Sequence, residues 1–336
     1  MTVPLRVGVA LPHSVHSGIG LPAWPHLRDL AVQLENAGFD ALWVSDHYFT
    51  DLESLGGPPG PGSQLDAMVL LPALAVATRR VILGTLVLAV GFRNPSVLAK
   101  AVASLDRLSG GRFELGLGAG WHQPEYAAAG LEFPSGQERL AELEEAVAVI
   151  RSMVSEGRST VTGRRFRVAD APNLPRPVQE AVPILLAAGG QRALRTAART
   201  ADAWNVAWRY SPESYAAKAA QFEVACEEVG RDPGEVRRSL GLVALVGENP
   251  DDLSRRFEEW RRQAPWLVRN ASLADVANRG LVGTPLQVRE RIEEFRVLGV
   301  SDLVLSFSPL PFGWSSAAGW DIVAEDILPA YREARG

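Results

Sequence analysis

The sequence predicts an α/β fold, a (β/α)8 barrel with loop insertions, on two observations: eight short apolar runs alternate with helical patterns, and no break in composition divides them. The runs are Leu5 to Leu11, Ala41 to Ser45, Val81 to Val90, Arg112 to Gly118, Pro183 to Ala188, Ala203 to Ala207, Ser239 to Val246 and Ser301 to Phe307. Several are apolar on both faces. Parallel strands read this way when helices cover one side and packed side chains fill the other.

The intervening segments carry helical signatures. Leu27, Leu30, Ala31 and Leu34 form one apolar face, and Leu140, Leu143, Val147, Ile150 and Val154 form another. Ser135 stands three residues before Glu138, and Thr284-Pro285 precedes Gln287, so both starts fit capping boxes. Ser211-Pro212 and Asn249-Pro250 pair a capping side chain with a proline whose missing N–H is no loss in a first turn. The βα units fill the chain without a separating linker, so one domain over residues 1–336 is expected. Its insertions fall near 48–63, which is rich in Gly and Pro, near 159–182, which suits a small hairpin, and near 263–283. Connections of that length tend to be binding loops.

Hydrophobic residues make up 47% of the 336, enough for a large core. The net charge of -5 is spread over mixed acidic and basic positions, which excludes a basic face for nucleic acid. The first residues lack a cationic segment followed by an apolar one, and no stretch approaches about 18 uninterrupted apolar residues. A cytoplasmic chain with no membrane part is expected. The one cysteine, Cys226, excludes an intrachain disulfide and a cysteine-rich metal site.

In such a barrel the residues after each strand converge on one mouth, which nominates His13, Asp46, His47, Phe92, Arg93, Trp121, His122, Gly189, Gly190, Trp204, Asn205 and Ser308. Two turns are glycine-rich: Gly116-Leu117-Gly118-Ala119-Gly120-Trp121, and Ala188-Gly189-Gly190 just before a helix. Bare backbone and a helix N-terminus suit a phosphate; tight packing at a crowded rim is the other reading. A dinucleotide fingerprint fails because position 121 is Trp. Asp46-His47 offers an imidazole, a group able to bind or move a proton, beside a carboxylate able to fix its tautomer, or else a structural cap of the second strand. His13 with His16, and His122 with Glu125, lack the spacing of a standard metal site, so no metal is expected. Trp121, Trp204, Trp208, Trp266 and Trp314 are placed where aromatic rings stack on a planar group or pack in a core.

Longer stretches carry a family signature: Ala41-Leu42-Trp43-Val44-Ser45-Asp46-His47-Tyr48; Leu83-Gly84-Thr85 through Phe92-Arg93-Asn94-Pro95; and Leu105-Asp106-Arg107-Leu108-Ser109-Gly110-Gly111-Arg112 into Gly118-Ala119-Gly120-Trp121 with Glu125-Tyr126. Together with Pro183 to Gly190 and Ala201-Asp202-Ala203-Trp204-Asn205, they resemble the luciferase-like monooxygenase superfamily, in particular its branch that uses the deazaflavin coenzyme F420. The match covers the first two thirds of the chain well and the last third loosely.

The resemblance implies a luciferase-like barrel, a homodimer, with a tricyclic ring in its mouth and His47 beside the ring's reactive edge. It implies a non-proline cis peptide at Leu86-Val87 and backbone capture of phosphate at Gly118 to Trp121 and at Gly189-Gly190. On this reading His47 and Asp46 are catalytic. His13, Leu86, Val87, Gly118, Ala119, Gly120, Trp121, Ala188, Gly189, Gly190 and Trp204 contact the cofactor, while Tyr48, Phe92, Trp208 and Trp314 line the substrate pocket. The implied activity is hydride transfer between F420 and a small organic substrate, with a separate cofactor reductase as a partner. A two-component monooxygenase using reduced FMN and a non-catalytic flavin-binding protein are the alternatives. One departure counts against sugar phosphates: dehydrogenases of that substrate class in this branch have an acidic Glu where this chain has Trp121, and their cationic cluster is not recognisable here.

Overall fold

Eight parallel strands close on themselves in the computed structural model, which describes residues 4–15, 22–50, 52–53, 56–60, 62–316 and 318–332. They are β1 (Arg6–Ala10), β2 (Ala41–Val44), β3 (Ile82–Thr85), β4 (Phe113–Gly118), β5 (Ile184–Ala187), β6 (Ala203–Trp208), β7 (Arg237–Val246) and β8 (Asp302–Ser306). Each pairs in parallel with the next, and β8 returns to β1 with Arg6 opposite Asp302. All eight apolar runs thus become the barrel strands.

Around them lie α1 (Trp24–Ala37), α2 (Ala67–Ala77), α3 (Pro95–Ser109), α4 (Gly136–Ser155), α5 (Gln191–Thr200), α6 (Pro212–Val229), α7 (Pro250–Gln263) and α8 (Pro285–Val297). The expected caps are in place: Ser135 and Glu138 form a capping box on α4, and Ser211 and Asn249 cap α6 and α7 with proline following. Among the described residues, no helix is long and apolar enough to cross a membrane.

Strand periodicity sorts the side chains into two layers. On β2, Leu42 and Val44 join the large core between strands and helices, whereas Ala41 and Trp43 join the barrel interior. Trp43 fills that interior because its neighbours are glycines. A Cβ on Gly84 would come within 2.3 Å of the indole, and one on Gly8 within 2.7 Å. The N-terminal floor is closed by charge: Arg6 and Arg237 each pair with both Glu114 and Asp302, at 2.7 Å for Arg6 with Glu114 and 3.0 Å for Arg237 with Glu114. Burial pushes the Glu114 carboxyl up, but the two arginines outweigh it and hold it below the usual carboxylate range.

The insertions hold small elements. Ser63–Gln64 pairs with Ser14–Val15 across the mouth, and Arg158–Thr162 with Arg167–Pro172 makes the expected hairpin. The third contains helices Pro265–Val268 and Leu273–Asn278 and a strand, Leu281–Gly283, that adds to β7. The long third run breaks after Thr85 and resumes as Leu88–Ala89 against β4, so the chain between them bulges at the mouth.

Candidate active site

A cavity of about 620 Å³ opens at the C-terminal ends of the strands, within the range of small-molecule sites. Of the residues nominated from the sequence, the cavity wall brings together Asp46, His47, Leu86, Val87, Phe92, Gly118, Ala119, Gly120, Trp121, His122, Ala188, Gly189, Asn205 and Trp208. The Leu86-Val87 peptide bond is cis, and a second non-proline cis bond joins Ala207 to Trp208 on the same wall.

His47 stands at the rim with its side chain 27% exposed. Its Nδ1 lies 2.7 Å from Oε2 of Glu125, and among the described residues its Nε2 has no hydrogen-bond partner. Trp121 stands edge-on to the imidazole at 5.7 Å. Oε1 of Glu125 accepts from the N–H groups of Tyr48 and Phe49 at 2.8 and 2.9 Å. Burial pushes the Glu125 carboxyl up, but the bonds from His47, Phe49 and Tyr48 outweigh it and hold it below the usual range.

Asp46 requires a correction. Its carboxylate does not orient His47: it receives a bidentate pair from Arg93, at 2.6 and 2.8 Å, and the Ala89 N–H at 3.0 Å. Consecutive residues leaving a strand point to opposite sides, so Asp46 turns toward the bulge after β3 while His47 faces the mouth. The carboxylate partner of His47 comes from another strand end.

The glycine turns divide. After β4, a Cβ on Gly118 would lie 2.8 Å from Val87, and Gly120 holds φ 77° with Tyr126 where its Cβ would be. Close packing accounts for these residues even though their backbone lines the cavity. At Gly189 nothing stands within 4 Å of a Cβ position, so this backbone presents open space just ahead of the N-terminus of α5.

Five of the residues expected to be catalytic or to contact the cofactor or substrate lie off the cavity wall, as do Arg93, Ser308 and Trp266 from the wider set. Trp204 points from β6 into the outer core, stacks on Phe222 at 4.3 Å and donates to the Ala188 carbonyl at 2.8 Å. It supports the wall without forming it. His13 is buried, its Nε2 accepting from the Ser45 N–H at 3.0 Å, and burial followed by the charge of His47 pushes it down to about 4. Tyr48 lies against Arg93, Gly190 caps α5 from an exposed position, and Trp314 remains exposed while Leu310, Pro311 and Phe312 turn inward. Among the described residues no three His, Cys, Asp or Glu side chains gather as a metal site, and Glu125 is engaged by His47. His16 lies outside the described residues.

The family model for luciferase-like monooxygenases matches residues 5–302. The chain belongs to this family. Within it, the chain is 38% identical over 334 residues to an F420-dependent glucose-6-phosphate dehydrogenase of Intrasporangium calvum, covering 91% of this chain and 94% of that protein. A Microbacterium testaceum protein of the same name is 36% identical over 351 residues, covering 99% of each. Among solved structures, an F420-dependent secondary alcohol dehydrogenase in complex with an F420-acetone adduct superposes with a TM-score of 0.78 over 99% of this chain and 100% of that one. At 22% identity this likeness concerns the fold.

The contact of Glu125 with His47 was not foreseen from the sequence, where Glu125 stood out only beside His122 and in the matched block ending Glu125-Tyr126. Reasoning from strand ends also missed Tyr126, buried against Phe92 at 4.6 Å, and the inward turn of Phe312.

Proposed function

We propose that this chain is an F420-dependent oxidoreductase that transfers a hydride between the deazaflavin and a small, uncharged organic substrate. One observation carries the reading: His47 lines the cavity with an Nε2 that has no hydrogen-bond partner among the described residues, while its Nδ1 is committed to a buried carboxylate. The relatives named as F420-dependent dehydrogenases support the cofactor, at 36 to 38% identity over nearly their whole length.

The site fits an extended molecule with a planar head and an anionic tail. The bulge at Leu86-Val87 backs the cavity, and the open backbone at Gly189 and the N-terminus of α5 suit the tail. The bound deazaflavin would supply the hydride chemistry and, unlike a flavin, would not readily activate oxygen. His47 Nε2 would take the hydroxyl proton of an alcohol being oxidised, or return it to the oxygen of a carbonyl being reduced. Trp121 and Trp208 would flank the substrate with apolar surface.

The substrate class follows from charge. Among the described residues that line the cavity there is no lysine or arginine, and Arg93 is held behind the wall by Asp46. A phosphorylated sugar would enter without a cationic partner, so the substrate specificity differs from that in the relatives' names. The same reading takes the chain to act in the cytoplasm as a homodimer supplied by a separate reductase.

Fluorescence titration with F420 and with FMN tests the cofactor, and F420 should bind more tightly. Failure of F420 to bind would reject this function. Reduction of F420 with glucose 6-phosphate at a rate above that with neutral alcohols would reject the substrate class.

A further inference from the structure

We propose that Glu125 is a positioning residue that sets the tautomer of His47 with one oxygen and pins the start of the segment after β2 with the other. No sequence pattern links the two residues, which lie 78 positions apart. Closure of the barrel brings them together: His47 leaves β2, and Glu125 sits on the short helix Gln123–Ala128 that follows β4.

The charge on this carboxylate needs a reason. Glu125 is 2% exposed, and its hydrogen-bond partners are the Nδ1 of His47 and the backbone N–H groups of Tyr48 and Phe49. Among the described residues no lysine or arginine pairs with it, in contrast to Asp46 with Arg93. Holding two backbone N–H groups requires an acceptor but no charge, and a glutamine would serve that purpose at less desolvation cost. The remaining contact, at His47, accounts for the anion.

An ionised carboxylate only accepts hydrogen bonds, so the hydrogen between Oε2 and Nδ1 belongs to the imidazole. Neutral His47 is therefore the Nδ1–H tautomer, with the Nε2 lone pair turned to the cavity. Once Nε2 gains a proton, the same carboxylate stabilises the imidazolium. Trp121 edge-on at 5.7 Å and His122 at 6.4 Å limit rotation of the ring. The catalytic consequence rests on the function proposed above; the tautomer itself does not.

Glu125→Gln separates the two tasks. Its amide oxygen retains the acceptor for Tyr48 and Phe49, and its NH2 faces Nδ1, where it favours the opposite tautomer. Nitrogen-15 correlation spectra of histidine-labelled protein without cofactor, with His47 assigned by its absence in His47→Asn, read the tautomer directly. Wild type should show Nδ1–H and Glu125→Gln should show Nε2–H; an Nε2–H wild type, or no change in the variant, would overturn the proposal. With F420 bound, kcat/KM of Glu125→Gln should fall on the order of 100- to 10,000-fold, while the F420 Kd stays within about threefold. Glu125→Ala should additionally raise KM by freeing the N–H groups of Tyr48 and Phe49. If it does not fold, the glutamine variant still decides. Failure of wild type to bind F420 rejects the proposed function but leaves the tautomer result standing.

Discussion

The two ends of this barrel bury carboxylates against cationic or titratable partners, with opposite results. At the floor, Arg6 and Arg237 alternate with Glu114 and Asp302 until every charge faces an opposite one. At the mouth, Asp46 and Arg93 close in the same manner, but Glu125 meets an imidazole and leaves a ring nitrogen open to the cavity. The difference lies in the partner. An arginine keeps its proton at any ordinary pH, so its pair contributes structure alone, whereas a histidine can give and take a proton near neutrality.

Removing the open nitrogen should have the largest effect. His47→Ala should lower kcat by about 100- to 10,000-fold, equivalent to about 3 to 5 kcal/mol of barrier, while the unfolding midpoint in urea stays close to that of wild type. Turnover within threefold of wild type would show that the mouth is no more reactive than the floor. The converse change, Glu114→Gln, should cost about 3 kcal/mol of stability by leaving buried arginine charge without its partner, with kcat per folded molecule unchanged. A loss below about 1 kcal/mol in urea unfolding would mean that the ring of charges at the floor contributes little.

The smallest effect concerns His13, buried between the ends of β1 and β2. Its folded pKa of about 4 lies below the ordinary 6.5, so the unfolded chain takes up a proton that the folded chain refuses. Its contribution to stability is complete above pH 6.5 and is lost progressively as the pH falls toward 4. His13→Gln, whose amide oxygen still accepts from Ser45, should reduce that loss by on the order of 2 kcal/mol. Urea unfolding at pH 7 and pH 4.5 measures the difference, and equal slopes in the two proteins would contradict it.

Much of the architecture was legible along the chain because local rules govern it. Apolar runs of strand length became β1 to β8, and the Ser135, Ser211 and Asn249 caps began the helices where their side chains could satisfy free N–H groups. Proximity along the chain misled at the site. Asp46 and His47 are neighbours in sequence yet point apart, and Trp204 follows Ala203 onto the opposite face of β6. Gly118 and Gly120 also had two readings, and their close approaches to Val87 and Tyr126 show the tight packing while their backbone still lines the cavity.

The sequence by itself determined the eight strands, the rim on which their ends gather and the presence of His47 there, since periodicity and strand direction are written in consecutive residues. Only the tertiary structure decided which carboxylate His47 meets, because β2 and β4 are brought together by closure of the sheet with β3 between them. A hydrogen bond across 78 positions depends on that closure and leaves no local pattern to read.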